Sequence, residues 1–329
     1  MTATMKRKAC GRDFALSARM GVTTLLLCGL YLAALVPPLW LFRHGMLPAK
    51  FAFGFDAVVL LLFILQYTSL DGMALRASHA RIVEDTEAPK LHAVLEKLAG
   101  LADVPKPRAA VIESEVPNAF AAGRNPERST IAVTRGLVKR LETKEIEAVL
   151  AHEISHIANR DGAVMTFASF PAVTLREVIR SAPWKVWVFG FPFMVLACGF
   201  YVVGLGIMLT ISRCREYTAD RGAVLLTGAP EQLMSALQKI AGSISDIPSR
   251  DLRAVSQMSA LFILPTNLRA LTHPPLEQRL ARLAKMSREL GKPEPPLGAA
   301  TTASKLGLGV AAFAIVFVLV VAVGLLVLR

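Results

Sequence analysis

The stretch "AVLAHEISHIANRDGA", residues 148–163, carries two histidines and a glutamate at the spacing H-E-x-x-H. On an α-helix, residues four apart lie on the same face, so His152 and His156 can both direct a ring nitrogen at one small object. Glu153 follows His152 by one residue and lies close to the same face. A helix whose two histidines are incidental is the alternative, and the rest of the chain must decide between the two.

The residues before the motif predict that it lies on a helix. The predicted helix runs through "KEIEAVLAHEISHIANR", residues 144–160. Thr143 is expected to cap it, because a threonine hydroxyl can accept a hydrogen bond from a free N–H of the first turn. Glu145 and Glu147 suit the positive end of the helix dipole.

Two histidines at this spacing are typical ligands of a catalytic zinc ion, each about 2.0–2.1 Å from the metal. Glu153 could then take a proton from a metal-bound water and deliver it to a leaving amine. Such a site also needs a third protein ligand and an open fourth position. The extended signature H-E-x-x-H-x-x-G-x-x-H does not supply that ligand, because Asn159 replaces its glycine and Gly162 replaces its third histidine.

The candidate for the third ligand lies in "SRCREYTAD", residues 212–220. Glu216 and Asp220 are four apart on a predicted helix. Glu216 can coordinate the metal, while Asp220 can accept a hydrogen bond from a ligating histidine and fix its tautomer. Two solvated acids among arginines are the alternative.

The composition indicates a membrane protein. Of the 329 residues, 53% are apolar, which excludes a disordered chain and is unlike an ordinary soluble protein. A helix needs about 20 apolar residues to cross some 30 Å of hydrocarbon. Four windows are long and apolar enough, namely residues 21–42, 51–70, 186–212 and 306–328. No small-x-small cleavage site follows the first window, so we interpret it as an uncleaved anchor and not a signal peptide.

The charges predict the orientation. The formal net charge is +12, and five basic residues precede the first window: Lys6, Arg7, Lys8, Arg12 and Arg19. By the positive-inside rule the N-terminus is cytoplasmic. Nucleic acid is not an expected partner, since no basic stretch alternates with aromatic residues. The four cysteines form no C-x-x-C pair, which favours a reduced protein.

A shared metal constrains the topology. If His156 and Glu216 hold one ion, an even number of crossings separates them. The window 186–212 is too short for two crossings. The missing crossing is expected at residues 163–182, although Arg176 and Glu177 make its insertion costly. Two membrane-associated or re-entrant helices are the alternative.

The polar parts of the chain predict a small α+β domain. Residues 88–102 form an amphipathic helix, and further helices are expected at 230–242 and 274–290. Three short β-prone runs, residues 107–114, 118–123 and 129–136, predict a small antiparallel sheet. The middle run, "NAFAAG", could pair with a substrate backbone as an added strand, and Gly123 would allow close approach. An ordinary hairpin is the alternative.

Four motifs in this order, "PNAFAAGRNP", "HEISH", "SRCREYTAD" and "THPPLEQRL", resemble the HtpX-type membrane zinc metalloproteases of peptidase family M48. That family is related to the CAAX prenyl protease and the Oma-type peptidases. The resemblance covers roughly residues 88–283 and the two leading spans. It implies one Zn²⁺ per chain on His152, His156 and Glu216, with Glu153 as general base. It also implies ATP-independent quality control of misfolded or damaged membrane proteins on the cytoplasmic side.

The residues suggest further roles beside the metal. His273 in "THPP" is a candidate to stabilise the oxyanion, since hydrolysis builds negative charge beside the metal. Asn118 could form hydrogen bonds with the substrate. The expected substrate-binding segment consists of Asn118, Ala119, Phe120, Ala121, Ala122 and Gly123. A histidine that merely precedes a helix is the alternative for His273.

The sequence thus predicts a mainly α-helical integral membrane protein with a cytoplasmic α+β zincin-like metalloprotease domain. The expected divisions are a basic N-terminus (1–20), two transmembrane helices (21–75), a first protease segment (76–162), a membrane helical pair (163–212), a second protease segment (213–297) and a linker with a C-terminal transmembrane helix (298–329). We expect a zinc endopeptidase of the bacterial inner membrane, with the lipid bilayer and unfolded membrane proteins as partners. A membrane holdase or assembly factor with a structural zinc is the alternative, and a transporter or channel is a third.

Overall fold

The computed structural model describes residues 14–245 and 273–293. The predicted last span at 306–328, the linker before it and the basic residues before position 14 lie outside the described residues. The elements in chain order are α1 (Phe14–Arg43), α2 (Ala49–Ala77), β1 (Arg81–Ile82), α3 (Pro89–Ala102), β2 (Arg108–Ile112), β3 (Ala119–Ala122), a 3₁₀ turn (Pro126–Arg128), β4 (Thr130–Thr134), α4 (Arg135–Arg140), α5 (Thr143–Ala158), α6 (Asp161–Ser181), α7 (Trp184–Phe189), α8 (Phe191–Thr227), α9 (Pro230–Ser245) and α10 (Leu276–Glu289).

Four of the described helices are long and apolar enough to cross a membrane: α1, α2 over its first 20 residues, α6 and α8. Helix α6 and the part of α8 that precedes Glu216 separate His156 from Glu216, so two candidate crossings lie between them, which agrees with the even number expected for a shared metal. The predicted window 186–212 is not one continuous helix, because α7 ends at Phe189 and α8 begins at Phe191. The proline at position 192 suits the first turn of a new helix, where its missing N–H costs nothing.

The described residues divide into two compact units. One unit comprises the described parts of 1–21, 64–167 and 211–300, and the other comprises 22–63 and 168–210. The second unit is helical and is held by aromatic contacts at Phe170, which meets the Phe63 ring edge-on at 5.3 Å and stacks with Tyr31 at 6.4 Å. Many large apolar side chains of α1 and α2 are exposed, for example Leu25 at 73% and Leu60 at 59%. Such outward apolar surface suits a lipid environment.

The sheet lies in the first unit and has the order β1-β2-β4-β3. The prediction of an antiparallel sheet is wrong for its central pair, because β2 and β4 are parallel, with Arg108 opposite Thr130 and Ile112 opposite Thr134. After β2 the chain passes to the far edge, forms β3, and returns by a hairpin as β4 between them. The strand that returns beside β2 therefore runs in the same direction as β2. The sheet is mixed, and β3 is an edge strand.

Helix α5 carries the H-E-x-x-H motif and packs on one face of the sheet. Its Val149, Leu150 and Ile154 are fully buried in a core shared with β3, β4, α3, α9 and α10. Burying a large aliphatic side chain contributes about 1.5–3 kcal/mol, so this core fixes the helix firmly on the sheet.

The cap of α5 differs from the prediction by one residue. Thr143 is the first helical residue, and Glu142 occupies the N-cap position in a reciprocal capping box with Glu145. The Glu142 N–H donates to Glu145 Oε2 at 2.8 Å. The Glu142 side chain in turn accepts from the N–H of Glu145. The pair thus satisfies two N–H groups at the start of the helix, and both acids suit the positive end of the helix dipole.

Candidate metal centre

Helices α5 and α8 bring the three predicted metal ligands together. His152 Nε2 and His156 Nε2 are 3.1 Å apart. Glu216 Oε1 lies 3.6 Å from His156 Nε2, and Glu216 Oε2 lies 3.7 Å from His152 Nε2. One ligand atom can be chosen from each of these three residues so that the three atoms all lie within 4.8 Å of one another.

The spacing of these atoms fits a zinc ion. Ligand atoms of a tetrahedral site with bonds of about 2.0–2.1 Å lie roughly 3.4 Å apart. The two histidine nitrogens are 3.1 Å apart, and each lies 3.6 or 3.7 Å from a carboxylate oxygen of Glu216, a different oxygen for each histidine, so the separations bracket that value. Two imidazoles and one carboxylate are also a common donor set of catalytic zinc sites, which keep the fourth position open.

A close helix contact brings Glu216 to the histidines. Gly222 of α8 packs directly on Ser155 of α5, so that a Cβ at position 222 would lie 2.4 Å from Ser155 Oγ and 2.7 Å from Ser155 Cβ. Only glycine permits this approach. The contact lies one residue before His156 on α5 and six residues after Glu216 on α8, so it sets the distance between the two ligands.

Asp220 lies where a partner of the first histidine is needed. Its Oδ1 is 3.1 Å from His152 Nδ1, the ring nitrogen that is not directed at the ligand cluster. Such a carboxylate fixes the tautomer and orientation of a ligating imidazole. The structure therefore brings Asp220 to a position that suits its predicted role.

Arg279 of α10 joins the two carboxylates. Its Nε and Nη2 donate to Asp220 at 2.9 and 2.5 Å, and its Nη1 lies 3.2 Å from Glu216 Oε2. The side chain is fully buried. Burial alone would lower the pKa of Arg279, but Asp220 and Glu216 outweigh it and raise the pKa above its ordinary value. The guanidinium compensates two buried negative charges.

Arg279 was not predicted from the sequence, although a signal was present. It stands three residues after Leu276 and four before Leu283, on the apolar stripe of its helix. A lone arginine on a buried stripe predicts a buried anionic partner, because an unpaired charge is costly to bury. Asp161, which contacts His156, was also missed.

Glu153 lies beside the ligand cluster and is held by the edge strand. The backbone N–H of Ala121 donates to Glu153 Oε2 at 2.8 Å. Burial raises the pKa of Glu153 above its ordinary value, against the opposing effects of His156 and His152. The carboxyl group is thus fixed in position by a main-chain donor and has an increased tendency to accept a proton.

Strand β3 borders this site and presents its main chain. All four residues of β3 have a partner on β4, and the side chains of Phe120 and Ala122 pack on the sheet face opposite α5. Alternate residues of an edge strand turn their N–H and C=O groups away from the neighbouring strand, and the bond from the Ala121 N–H to Glu153 indicates that Ala119 and Ala121 are these residues. Gly123 ends the strand with φ +129°, and a Cβ there would lie 2.8 Å from Ser129 Cα. The close approach at Gly123 is therefore to its own hairpin.

His273 lies beside the ligand cluster, whereas Asn118 is hydrogen-bonded to Thr134 at the end of β4. His273 precedes α10, and its Nδ1 lies 3.2 Å from Glu216 Oε1, so the structure brings it to the ligand cluster. Asn118 is buried at the start of β3, where its N–H donates to Thr134 Oγ1 at 2.8 Å and its carbonyl accepts from the Thr134 N–H at 2.9 Å. These bonds anchor the main chain of Asn118, and its contact with a substrate stays a prediction.

Comparison with known proteins identifies relatives over most of the chain. The profile of Peptidase family M48 matches residues 85–287. The chain is 40% identical over 301 residues to "Protease HtpX homolog" of Moorella thermoacetica, covering 86% of this chain and 98% of that protein. It is 40% identical over 302 residues to "Protease HtpX homolog 1" of Streptomyces coelicolor, covering 86% and 97%.

A solved structure also resembles the chain. The crystal structure of S. mikatae Ste24p has a TM-score of 0.46 and 22% sequence identity, and the match covers 81% of this chain and 67% of that one. The family assignment rests on the sequence matches alone.

These matches agree with the geometry of the site. The family profile spans the residues from the segment before α3 to the last turn of α10, which includes the three candidate ligands, Glu153 and Asp220. Helices able to cross a membrane precede and interrupt that region. The chain belongs to peptidase family M48 and is a membrane metalloprotease of the HtpX type.

Proposed function

We propose that the protein is a zinc-dependent endopeptidase that cleaves misfolded or damaged membrane proteins on the cytoplasmic side of the bacterial inner membrane. The observation that carries the proposal is the convergence of His152, His156 and Glu216, with Glu153 beside them and an edge strand at the border of the site. One Zn²⁺ per chain fits the donor set and its spacing.

Zinc, when bound by His152, His156 and Glu216, supplies Lewis-acid chemistry that polarises a carbonyl and lowers the pKa of water toward about 7. Glu153 takes a proton from the attacking water and passes it to the leaving amine. The hydrogen bond from Ala121 holds the Glu153 carboxyl group in place for both transfers. Its position next to His152 in the sequence lets it serve the reacting atoms without being a ligand itself.

The edge strand supports binding of an unfolded substrate. An extended peptide can add to β3 through main-chain hydrogen bonds with the N–H and C=O of Ala119 and the C=O of Ala121, since the Ala121 N–H already donates to Glu153. Since the binding groups belong to the main chain, many sequences can be accepted, provided that the segment is unfolded. Asn118 at the start of the strand would then contact one end of the bound segment.

His273 is proposed to stabilise the oxyanion. Its ring lies beside Glu216 at the border of the ligand cluster, and its side chain is 9% exposed. A donor placed where negative charge develops typically contributes a factor of about 10²–10³ to kcat.

The decisive experiment compares cleavage of an unfolded membrane protein by the wild type and by Glu153→Gln, both purified in detergent and loaded with zinc. We expect the variant to bind zinc normally and to lose nearly all cleavage. Glu147→Gln is the matched control, because Glu147 lies on the same helix but pairs with Lys97 away from the site. Equal cleavage by the wild type and Glu153→Gln would refute the proposed mechanism, and a zinc-loaded wild type without cleavage would favour a holdase.

The proposed orientation is tested with a single exposed cysteine. Asp103→Cys, introduced after the chain's own cysteines are replaced, lies in the loop after α3. We expect a membrane-impermeant thiol reagent to label it in inverted inner-membrane vesicles but not in intact spheroplasts. Labelling in spheroplasts would place the domain on the other side.

A further inference from the structure

The second histidine ligand has an outer partner that the motif does not predict. Asp161 Oδ2 lies 2.6 Å from His156 Nδ1, the ring nitrogen that is not directed at Glu216. Asp161 is in turn in contact with Arg215 of α8, and both side chains are at least nine-tenths buried. We propose that Asp161 and Arg215 are positioning residues, which orient His156 for metal binding and couple it to the helix that supplies Glu216. This inference rests on the proposed zinc site.

The junction between α5 and α6 is built to place Asp161 there. Helix α5 ends at Ala158, Arg160 adopts a left-handed φ of +54°, and α6 begins at Asp161. A residue other than glycine rarely adopts this conformation and does so only where surrounding contacts impose it. Gly162 fits the junction closely, because a Cβ there would lie 2.4 Å from the carbonyl oxygen of Gly123. The turn therefore brings the first residue of α6 back beside a histidine of α5.

Arg215 fixes this junction from α8. Its Nη2 donates to the carbonyl oxygen of Asn159 at 2.7 Å and contacts Asp161 Oδ1. The carbonyl is an acceptor that the end of α5 leaves free. Arg215 also directly precedes Glu216 in the chain. One guanidinium thus ties the last turn of α5 and the partner of His156 to the residue next to the third ligand.

Each histidine thus has a carboxylate beside its Nδ1. Asp161 Oδ2 forms a hydrogen bond with His156 Nδ1 at 2.6 Å, whereas Asp220 Oδ1 lies 3.1 Å from His152 Nδ1 in a close contact without hydrogen-bond geometry. Each carboxylate faces the nitrogen that the ligand cluster does not use, so each favours the tautomer that leaves Nε2 free to bind metal. Asp220 belongs to α8, and Asp161 is held by α8 through Arg215. Helix α8 therefore supplies one ligand and controls the orientation of the other two.

The test measures zinc affinity by competition with a chelator, using full-length protein in detergent. We expect Asp161→Ala to weaken zinc binding about 10–100-fold, the usual effect of losing such a partner. Asp161→Asn, which retains an acceptor oxygen without the charge, should weaken it less. The visible spectrum of the Co²⁺-loaded protein should change in both variants, since it reports the geometry of the ligands and not the overall fold.

Arg215→Gln tests the coupling. If Arg215 acts through Asp161, the double variant Asp161→Ala, Arg215→Gln should bind zinc no more weakly than Asp161→Ala alone. The matched control is the exposed pair Glu113 and Arg135, which are 2.6 Å apart and about 60% exposed. Glu113→Gln and Arg135→Gln should leave zinc affinity and the cobalt spectrum unchanged.

The outcomes separate this inference from the proposed function. Wild-type zinc affinity and an unchanged cobalt spectrum in both Asp161 variants would overturn the role of Asp161, while the zinc site itself would stand. Additive effects of Asp161→Ala and Arg215→Gln would overturn the coupling through Arg215. A wild type that binds no zinc would instead refute the proposed function.

Discussion

Replacement of Gly222 by alanine tests whether close packing of α5 and α8 sets the metal site. The new methyl group would lie 2.4 Å from Ser155 Oγ and 2.7 Å from Ser155 Cβ, whereas ordinary contact begins at 3.4 Å. The Ser155 hydroxyl can rotate away, but Cβ cannot. The two helices must therefore separate by about 0.7 Å or tilt apart at this point, a strain of the kind that costs about 1–3 kcal/mol in a packed core.

The displacement reaches the ligands because both are close in sequence to the contact. Glu216 lies less than two turns from Gly222, and His156 follows Ser155 directly. A misplacement of about 1 Å at a catalytic centre can reduce the rate about 10²-fold. We therefore expect Gly222→Ala to lose about 10–100-fold in cleavage rate and to bind zinc more weakly.

The assay compares cleavage of an unfolded membrane protein and zinc competition across matched variants. Gly100→Ala is the control, because its added Cβ in α3 meets nothing within 4 Å, and helix propensity predicts no loss. The variant Ser155→Gly, Gly222→Ala should recover much of the activity, since the nearest remaining atom, the Cα at position 155, is 3.9 Å from the new methyl group. Activity and zinc affinity of Gly222→Ala within about twofold of the wild type would refute this reasoning.

Three further predictions follow from buried charges and from the border of the site. Arg279→Met leaves Asp220 and Glu216 buried without their cation. We therefore expect the free energy of unfolding to fall by about 3–5 kcal/mol, visible as a lower melting temperature in detergent, and an unchanged melting temperature would contradict the assigned pairing. His273→Ala should lower kcat about 10²–10³-fold in steady-state assays while zinc content stays normal; lost zinc would argue for a structural role. Burial raises the pKa of Glu145, but bonds from Lys239 and Ser235 outweigh it and lower the pKa in the folded state. The stabilising effect of this carboxylate is thus fully present above the unfolded pKa of about 4.3 and is lost as the pH falls through the lower folded pKa. The wild type should therefore have a higher melting temperature than Glu145→Gln at pH 7, and the difference should shrink below about pH 4. A difference that is constant with pH would contradict this prediction.

Local spacing was sufficient to predict the part of the site that one helix supplies. His152, Glu153 and His156 follow from the helical repeat alone, because residues four apart share a face whatever the fold is. The four apolar windows were found for a similar reason, since span length depends only on local composition. Three of them fall on described helices, with the third interrupted between α7 and α8.

The parts that sequence reasoning missed depend on contacts between distant residues. The parallel pairing of β2 and β4 could not be seen in the strands themselves, because it arises from the path of the chain between them. Asp161 lies five residues after His156, beyond the end of α5, where helical spacing no longer relates two side chains. Its contact depends on the left-handed turn at Arg160. Glu216 was predicted from its spacing to Asp220, which suggests a ligand and its partner, together with the resemblance of its segment to the HtpX-type proteases.

The central claim is that one zinc ion is held by two histidines of α5 and a glutamate of α8. Its most direct test is the zinc content of purified protein, measured per chain for the wild type, Glu153→Gln and Glu216→Ala after identical zinc loading and dialysis. We predict about one zinc per chain for the wild type and for Glu153→Gln, and almost none for Glu216→Ala. A wild type without stoichiometric zinc, or a Glu216→Ala variant that retains it fully, would contradict the account.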